Sequence, residues 1–225
     1  DIPRLAILAV MVGLAVALGA RLRAAAPAEM RLPVTVYTAA ILAMAAAGQT
    51  LVVLTGNLDL SVGSIMGLCA YVVFDVTGQA PWLGAFTVPV ALALGAVLGL
   101  FNGVLVAYLR IPSLVATLGT LSVYRGLVSF YANAMEVTSG ELPPWMRQLA
   151  TARWLGLSSY VWIAAAVVVL VGLALSLLPW GRKLYALGSN PRAAYYYGLN
   201  ETAILVGAYV AAGAIAGFVG LLLGA

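Results

Sequence analysis

The stretch Thr55-Gly-Asn-Leu-Asp-Leu-Ser-Val-Gly-Ser64 is a short polar island between two apolar runs, Val34–Leu54 and Val62–Val76. We interpret both runs as membrane-spanning helices, because roughly 20 apolar residues cross the hydrocarbon core as a helix. A carboxylate such as that of Asp59 costs about 2.5–3.5 kcal/mol at the centre of a membrane helix. Polar residues at this place in the sequence therefore indicate a specific structural or functional role.

Two roles fit the island, and they are compatible. Asp59 or Ser61 would cap the helix that begins near Val62, because a side-chain oxygen before a helix accepts its free N–H groups. Alternatively, a broken helix at membrane depth would line a water-filled path, since irregular backbone is tolerated there or against protein. Other polar residues inside the apolar runs either form hydrogen bonds between helices or contact a substrate. The candidate path residues are Gln49, Asn57, Asp59, Ser61, Ser64, Asn102, Thr117 and Thr120.

Composition places the chain in a membrane. Its 225 residues are 64% hydrophobic and 8% charged, whereas a soluble domain has roughly 25% charged residues. No run alternates like a barrel strand, so we predict an all-α polytopic membrane protein with about seven transmembrane helices. Residues 1–225 form one predicted transmembrane domain, expected to be incomplete at the C-terminus because its last apolar run has no polar flank. The expected spans are Ile2–Ala20, Val34–Leu54, Val62–Val76, Trp82–Leu109, Pro112–Tyr131, Ser159–Leu178 and Thr202–Ala225.

Several chemistries are excluded by residues that the sequence lacks. It contains no histidine and a single cysteine, Cys69, so a zinc site, a disulfide and a histidine-based triad are not expected. The only lysine is Lys183, and the glycine-rich phosphate-binding pattern that ends in lysine does not occur. Basic residues stand singly or in pairs in short loops, as membrane topology signals do. We expect no catalytic residue, metal, bound cofactor or nucleic-acid partner.

A second polar region, Pro179–Asn200, carries the signals of a short helix. Asn190 is a favoured N-cap, and Pro191 suits the first helical position. Gly198 can take the left-handed conformation that closes a helix. The helix predicted between them, Pro191–Tyr197, has only two turns and therefore needs a surface to pack against. Loop Arg and Lys residues divide equally between the two sides of a seven-span topology, so charge bias does not orient the chain.

Glycine spacing predicts where two spans pack closely. Gly95, Gly99 and Gly103 recur every four residues, as do Gly213 and Gly217. Small residues at this spacing let helix backbones approach one another. We interpret both repeats as packing surfaces without chemistry of their own.

Two other features leave a choice open. The loop Ala132–Ser158 mixes acidic, basic and tryptophan residues, so it is either an ordinary connection or a surface that docks an external partner. Arg125 lies inside an expected span. Its side chain either extends to the lipid headgroups or pairs with an acid such as Asp75.

Four segments, in order, resemble the sugar permeases of bacterial ATP-binding-cassette importers, the ribose, galactose and xylose group. The string Asp59-Leu-Ser-Val-Gly-Ser64 closely resembles a signature of these permeases. Phe101–Pro112, and Ala116–Thr120 followed by Tyr124–Gly126, are similar to further family segments. Gly181–Asn190 is similar to the cytoplasmic loop through which the permeases meet their ATPase. Within the group, the sequence looks nearest to autoinducer-2 permeases, with rhamnose permeases also close.

The resemblance implies the permease subunit of an ATP-driven importer for a monosaccharide or sugar-like molecule, located in the bacterial inner membrane. Implied partners are a separate ATPase that uses the ATP, an external sugar-binding protein, a second permease copy and membrane lipid. The alternative is a stand-alone channel or gradient-driven carrier, or a related importer permease for branched-chain amino acids or nucleosides. In the implied cytoplasmic coupling-helix loop, the ATPase-docking residues are Arg182, Lys183, Gly188, Asn190, Pro191, Ala193, Ala194 and Gly198.

Overall fold

The computed structural model describes residues 31–79, 81–132 and 143–224, which form a bundle of helices. Long helices cross the bundle, and shorter elements connect them at its two ends. In chain order the elements are α1 (Arg31–Val53), α2 (Val62–Gln79), a 3-10 helix (Pro81–Phe86), α3 (Thr87–Ala107), α4 (Ser113–Ala132), α5 (Pro144–Thr151), β1 (Arg153–Trp154), β2 (Leu157–Ser158), α6 (Ser159–Leu177), α7 (Pro179–Ser189), α8 (Pro191–Tyr196) and α9 (Glu201–Leu223).

The predicted fold class is confirmed. Five helices, α1, α3, α4, α6 and α9, are long and apolar enough to cross a membrane, and α2 contains the shorter apolar helix Val62–Thr77. These elements coincide with six of the expected spans, while Ile2–Ala20 lies outside the described residues, so the count of seven stays a prediction. The strands β1 and β2 were not predicted; they pair antiparallel, with Arg153 opposite Ser158.

Glycines allow α3 and α9 to pack with their backbones in contact. A Cβ atom added to Gly99 would overlap the carbonyl oxygen of Tyr209, and one added to Gly213 would overlap that of Gly95. Any larger residue would push the two helices apart. The close packing predicted from the glycine spacing is confirmed, and it places α9 in the middle of the bundle.

Successive long helices run in opposite directions, so their connections gather at two ends. Residues 54–61, 108–112 and 179–200 lie at one end, and α5 with the β-ribbon lies at the other. At the α5 end, Met146 is fully buried and packs with Phe74 and Leu221. The part of the Ala132–Ser158 loop that the structure describes therefore covers the helix ends, and the choice between connection and docking surface stays open.

The region Pro179–Asn200 contains two helices, whereas the sequence predicted one. α7 was missed, and Asn190 separates it from α8 by accepting the N–H of Ala193 at 3.0 Å, as an N-cap does. α8 ends at Tyr196, one residue earlier than predicted. Gly198 has a φ of 73°, so the predicted left-handed position is confirmed.

Gly99→Ala should destabilise the bundle by about 1–3 kcal/mol, because the added methyl group overlaps α9. Gly172→Ala on α6 is the matched control, since a Cβ there meets nothing within 4 Å and alanine favours a helix. Purified protein in detergent should show a lower Tm for the first variant only. Equal Tm values for the two variants would mean that α3 and α9 are not in backbone contact.

Candidate functional site

Residues 54–61, named here the polar segment, leave the helical pattern between α1 and α2. Gly56 ends the turn after α1 with a φ of 81°, a left-handed conformation that glycine adopts without strain. Beyond it the backbone is not helical until Val62. Such backbone lacks the regular hydrogen bonds of a helix, so its N–H and C=O groups need other partners, and several of these are side chains.

Side chains from α4 and α9 provide several of these partners. The N–H of Leu60 donates to Thr117 Oγ1 at 3.2 Å, and the N–H of Leu58 donates to Ser113 Oγ at 3.3 Å. The carbonyl oxygen of Leu58 accepts the hydroxyl of Tyr209 at 3.3 Å. Hydroxyl groups on two neighbouring helices therefore hold the backbone of the polar segment in place.

Asp59 lies at the centre of a buried hydrogen-bond network, here the Asp59 network of Gln49, Asp59, Ser61, Asn102 and Tyr124. Its Oδ1 accepts the N–H and the hydroxyl of Ser61 at 2.8 and 2.7 Å. Asn102 Nδ2 donates to Ser61 Oγ at 2.7 Å and lies 3.5 Å from Asp59 Oδ2. Tyr124 donates to Asn102 Oδ1 at 3.4 Å, and Gln49 Nε2 donates to the Asp59 carbonyl oxygen at 3.1 Å. The network thus connects α1, α3 and α4 at the start of α2.

The predicted capping role takes a particular form in the structure. Asp59 accepts the N–H of Ser61, the residue directly before α2, and the carbonyl oxygen of Ser61 accepts the N–H of Ile65 at 2.9 Å. A carboxylate that bonds its own backbone two residues on forms a local turn. Asp59 therefore fixes the direction in which α2 begins.

The predicted path residues mostly come together, but in the interior. Asn57, on the polar segment itself, donates through Nδ2 to Thr55 Oγ1 at 3.1 Å. Gln49, Asn57 and Ser64 are partly buried. The path residues that are at most 4% exposed are Asp59, Ser61, Asn102, Thr117 and Thr120. For both groups the role in a path stays a prediction.

Sequence reasoning did not include Ser113, Tyr124 or Tyr209 among the site residues, although all of them bond to the polar segment or to the Asp59 network. Tyr124 stood in a segment that resembles the family, which was a usable signal. Tyr209 lies in an apolar run of α9, and only its phenolic hydroxyl marked it as a residue that needs a partner when buried.

The inner side of α7 and α8 packs on the bundle. Leu184, Leu187 and Ala194 are buried in one cluster with Leu51 of α1 and Ile204 of α9. This contact is the support that the two-turn helix α8 needs. Ala194, a predicted docking residue, therefore faces the bundle.

Gly188 joins α7 to the polar segment. A Cβ atom added to Gly188 would overlap the carbonyl oxygen of Leu54, the first residue of the polar segment. Substitutions of Gly188 would therefore disturb the interior of this protein as well as any partner that docks there. The two polar regions that the sequence singled out are in direct contact.

The outer side of α8 exposes a run of aromatic residues that sequence reasoning did not select. Tyr195 is 75% exposed, and Tyr196 and Tyr197 are each 86% exposed. Arg192 is also exposed. Ala193 is partly buried. Of the predicted docking residues, those exposed and free of the Leu54 contact are Arg182, Lys183, Asn190, Pro191 and Gly198.

The double variant Ser61→Ala/Asn102→Ala should lose less unfolding free energy than the two single variants lose in sum. The difference, the coupling energy, should be about 1 kcal/mol, because the two side chains share a buried hydrogen bond. The double-mutant cycle is measured from unfolding in detergent. Ser61→Ala combined with Ser176→Ala is the control, since the Ser176 hydroxyl bonds to Leu173 within its own helix. Additive effects in both cycles would contradict the bond between Ser61 and Asn102.

The chain is similar to proteins named autoinducer 2 import system permease protein LsrC. The Escherichia coli protein is 38% identical over 191 residues, 83% of this chain and 54% of the relative. The Photorhabdus laumondii protein is 36% identical over 184 residues, 82% of this chain and 54% of the relative. The Salmonella choleraesuis protein is 38% identical over 188 residues, 82% of this chain and 52% of the relative. The chain thus spans about half the length of the curated relatives it matches. No solved structure gives a significant match.

A family model described as "Branched-chain amino acid transport system / permease component" matches residues 33–225. This range includes the polar segment, the Asp59 network and the α7–α8 region. Together with the spans found in the described residues, it confirms the resemblance and the expected multi-pass location in the inner membrane. The chain therefore belongs to the permease family that this model describes.

Proposed function

We propose that this protein is the membrane-spanning permease subunit of an ATP-driven importer for a monosaccharide or sugar-like small molecule. The relatives are named as import permeases for autoinducer 2, and the string Asp59–Ser64 resembles that of sugar permeases. Cargo of the ribose, rhamnose or autoinducer-2 class follows from these two likenesses. The chain binds no cofactor in this proposal, and ATP is used by a partner subunit.

The observation that carries the proposal is the two-sided structure of α7 and α8. Their inner side is buried on the bundle, whereas Tyr195, Tyr196 and Tyr197 are exposed on the outer side. Tyrosine is enriched where proteins bind each other. An exposed aromatic run beside Arg192, at one end of a membrane bundle, suits a soluble partner. In this proposal the partner is the separate ATPase that the resemblance to importer permeases implies.

Movement of the ATPase reaches the bundle through the contact between Gly188 and Leu54. A displacement of α7 moves the end of α1 and, with it, the polar segment. Since side chains of α1, α4 and α9 hold this segment, the displacement changes how these helices lie relative to one another. Such rigid shifts alternately open a path to each side of the membrane.

Other partners follow from the same proposal. A second permease copy completes the path, and an external sugar-binding protein delivers cargo at the α5 end, opposite α7 and α8. A stand-alone channel or gradient-driven carrier is the competing function. A channel or carrier of this kind would need no partner at the outer side of α8. The two functions therefore differ in whether transport requires a partner ATPase.

Transport into proteoliposomes tests the proposal. Full-length protein, purified with the ATPase that accompanies it from native membranes, is supplied with the external binding protein from the same cells and with radiolabelled ribose, rhamnose and autoinducer 2. Uptake of one of them should require ATP. The amount of ATPase that co-purifies with the double variant Tyr195→Ala/Tyr196→Ala should fall at least about tenfold, as expected for two aromatic contacts in an interface. Its uptake should fall in proportion.

Tyr131→Ala is the matched control for ATPase retention, because Tyr131 is 60% exposed and lies in the last turn of α4, at the opposite end of the bundle. It should retain the ATPase as the unmodified protein does. Uptake that persists without ATPase and ATP would overturn the importer proposal. Full ATPase retention by the double variant would reject docking at the outer side of α8.

A further inference from the structure

The surface of α4 that faces away from the bundle divides into an apolar and a polar part. Val123, Leu127 and Phe130 are exposed on one side. From Gly119 to Ser129, at about 100° per residue, the other side is polar or small over an arc of about 120°; we name it the polar sector. Nearer Ser113 the same arc exposes Val115 and Leu118, so the polar sector covers only the part of α4 towards the α5 end. Its exposed residues are Gly119, Ser122, Arg125, Gly126 and Ser129.

The exposed faces of other spans differ from the polar sector. Between Val90 and Phe101, α3 exposes only Val, Leu, Ala and Phe residues. Between Ala165 and Leu173, α6 exposes only Ala, Val, Leu and Gly residues. These faces suit lipid. The contrast indicates that the polar sector of α4 has a different surrounding.

The charge of Arg125 is the strongest sign of that surrounding. The hydroxyls of Ser122 and Ser129 bond back to carbonyl oxygens of α4, each at 3.2 Å, so both serines would tolerate lipid. A guanidinium carries five N–H donors and stays charged, and charged side chains in membrane spans usually face water or protein. The opposite side of α4 is polar as well, because Ser113 and Thr117 bond to the polar segment.

We propose that the polar sector of α4 faces water and forms one wall of the passage that cargo follows. The inference rests on the importer function proposed above and specifies which surface the cargo meets. A Cβ added to Gly119 or Gly126 would meet nothing within 4 Å, so the surface is open. A guanidinium donates to a cargo with many oxygen acceptors, and serine hydroxyls that already donate to α4 still accept from hydroxyl groups of the cargo. The passage then lies on the side of α4 opposite the buried Asp59 network.

Cysteine accessibility in native membrane vesicles tests the inference in the full-length protein. Ser122 lies near the midpoint of α4, about 14 Å from either end. Val123, 56% exposed, is at the same depth in the apolar part, and Val168, 43% exposed, is the midpoint of α6. Each is replaced by cysteine in a Cys69→Ala background; Cys69 is fully buried. A charged, membrane-impermeant thiol reagent is applied, and Tm measurements confirm that each variant folds.

Ser122→Cys should react at least about tenfold faster than Val123→Cys and Val168→Cys, because the reacting thiolate needs water. Its modification should also block uptake of the radiolabelled ribose, rhamnose and autoinducer 2 panel. Equal rates at the three positions, all slow or all fast, would overturn the inference, since the sector would then be no wetter than a lipid-facing surface. Unchanged uptake after modification would overturn the passage role. Labelling needs neither ATPase nor cargo, so uptake without ATP would reject the importer function alone.

Discussion

Non-helical backbone between two spans lacks the regular hydrogen bonds of a helix, and the polar segment 54–61 obtains partners from side chains instead. Thr117, Tyr209 and Gln49 each bond to a backbone group of the segment. Asp59 adds a buried carboxylate that bonds to Ser61. An unsatisfied buried polar group costs about 1–3 kcal/mol, so the helices that carry these side chains are constrained to lie where they do.

The same constraint gives the polar segment a mechanical role in the proposed transport cycle. One of its ends is the carbonyl of Leu54, against which Gly188 packs, and its other end is the start of α2. A partner bound to the outer side of α8 therefore acts on a segment that several helices hold. The Asp59 network is buried, whereas the polar sector of α4 is exposed; under the two proposals the groups that transmit motion are separate from the surface that cargo meets.

The sequence could predict the features that depend on local chemistry. Apolar length located the five long helices and the shorter α2, the spacing of Gly95 and Gly99 indicated a close helix pair, and Asn190 and Gly198 marked the limits of α8. It also singled out Asp59, Ser61 and Asn102, because polar residues in apolar runs need a reason. Their resemblance to family segments then indicated the permease family.

The remainder depends on contacts between residues distant in sequence. Nothing local to Thr117 or Tyr209 shows that they bond to residues 58–60, because these partners come together only when α4 and α9 each pack against the polar segment. α7 was missed because its residues read as a polar loop, although its buried Leu184 and Leu187 form an apolar side. Likewise, the outward position of Tyr195 to Tyr197 becomes clear only once Ala194 is seen to face the bundle.

Amide hydrogen exchange of the polar segment tests most directly whether side chains hold its backbone in place. The N–H groups of Leu60 and Ser61 donate to Thr117 and Asp59, and they should exchange as slowly as amides in the interior of α9. The exposed tip of the β-ribbon at Leu155, 90% exposed, serves as the fast reference within the same protein. Exchange of Leu60 and Ser61 at the rate of that tip would contradict the account, since the segment would then be an open loop.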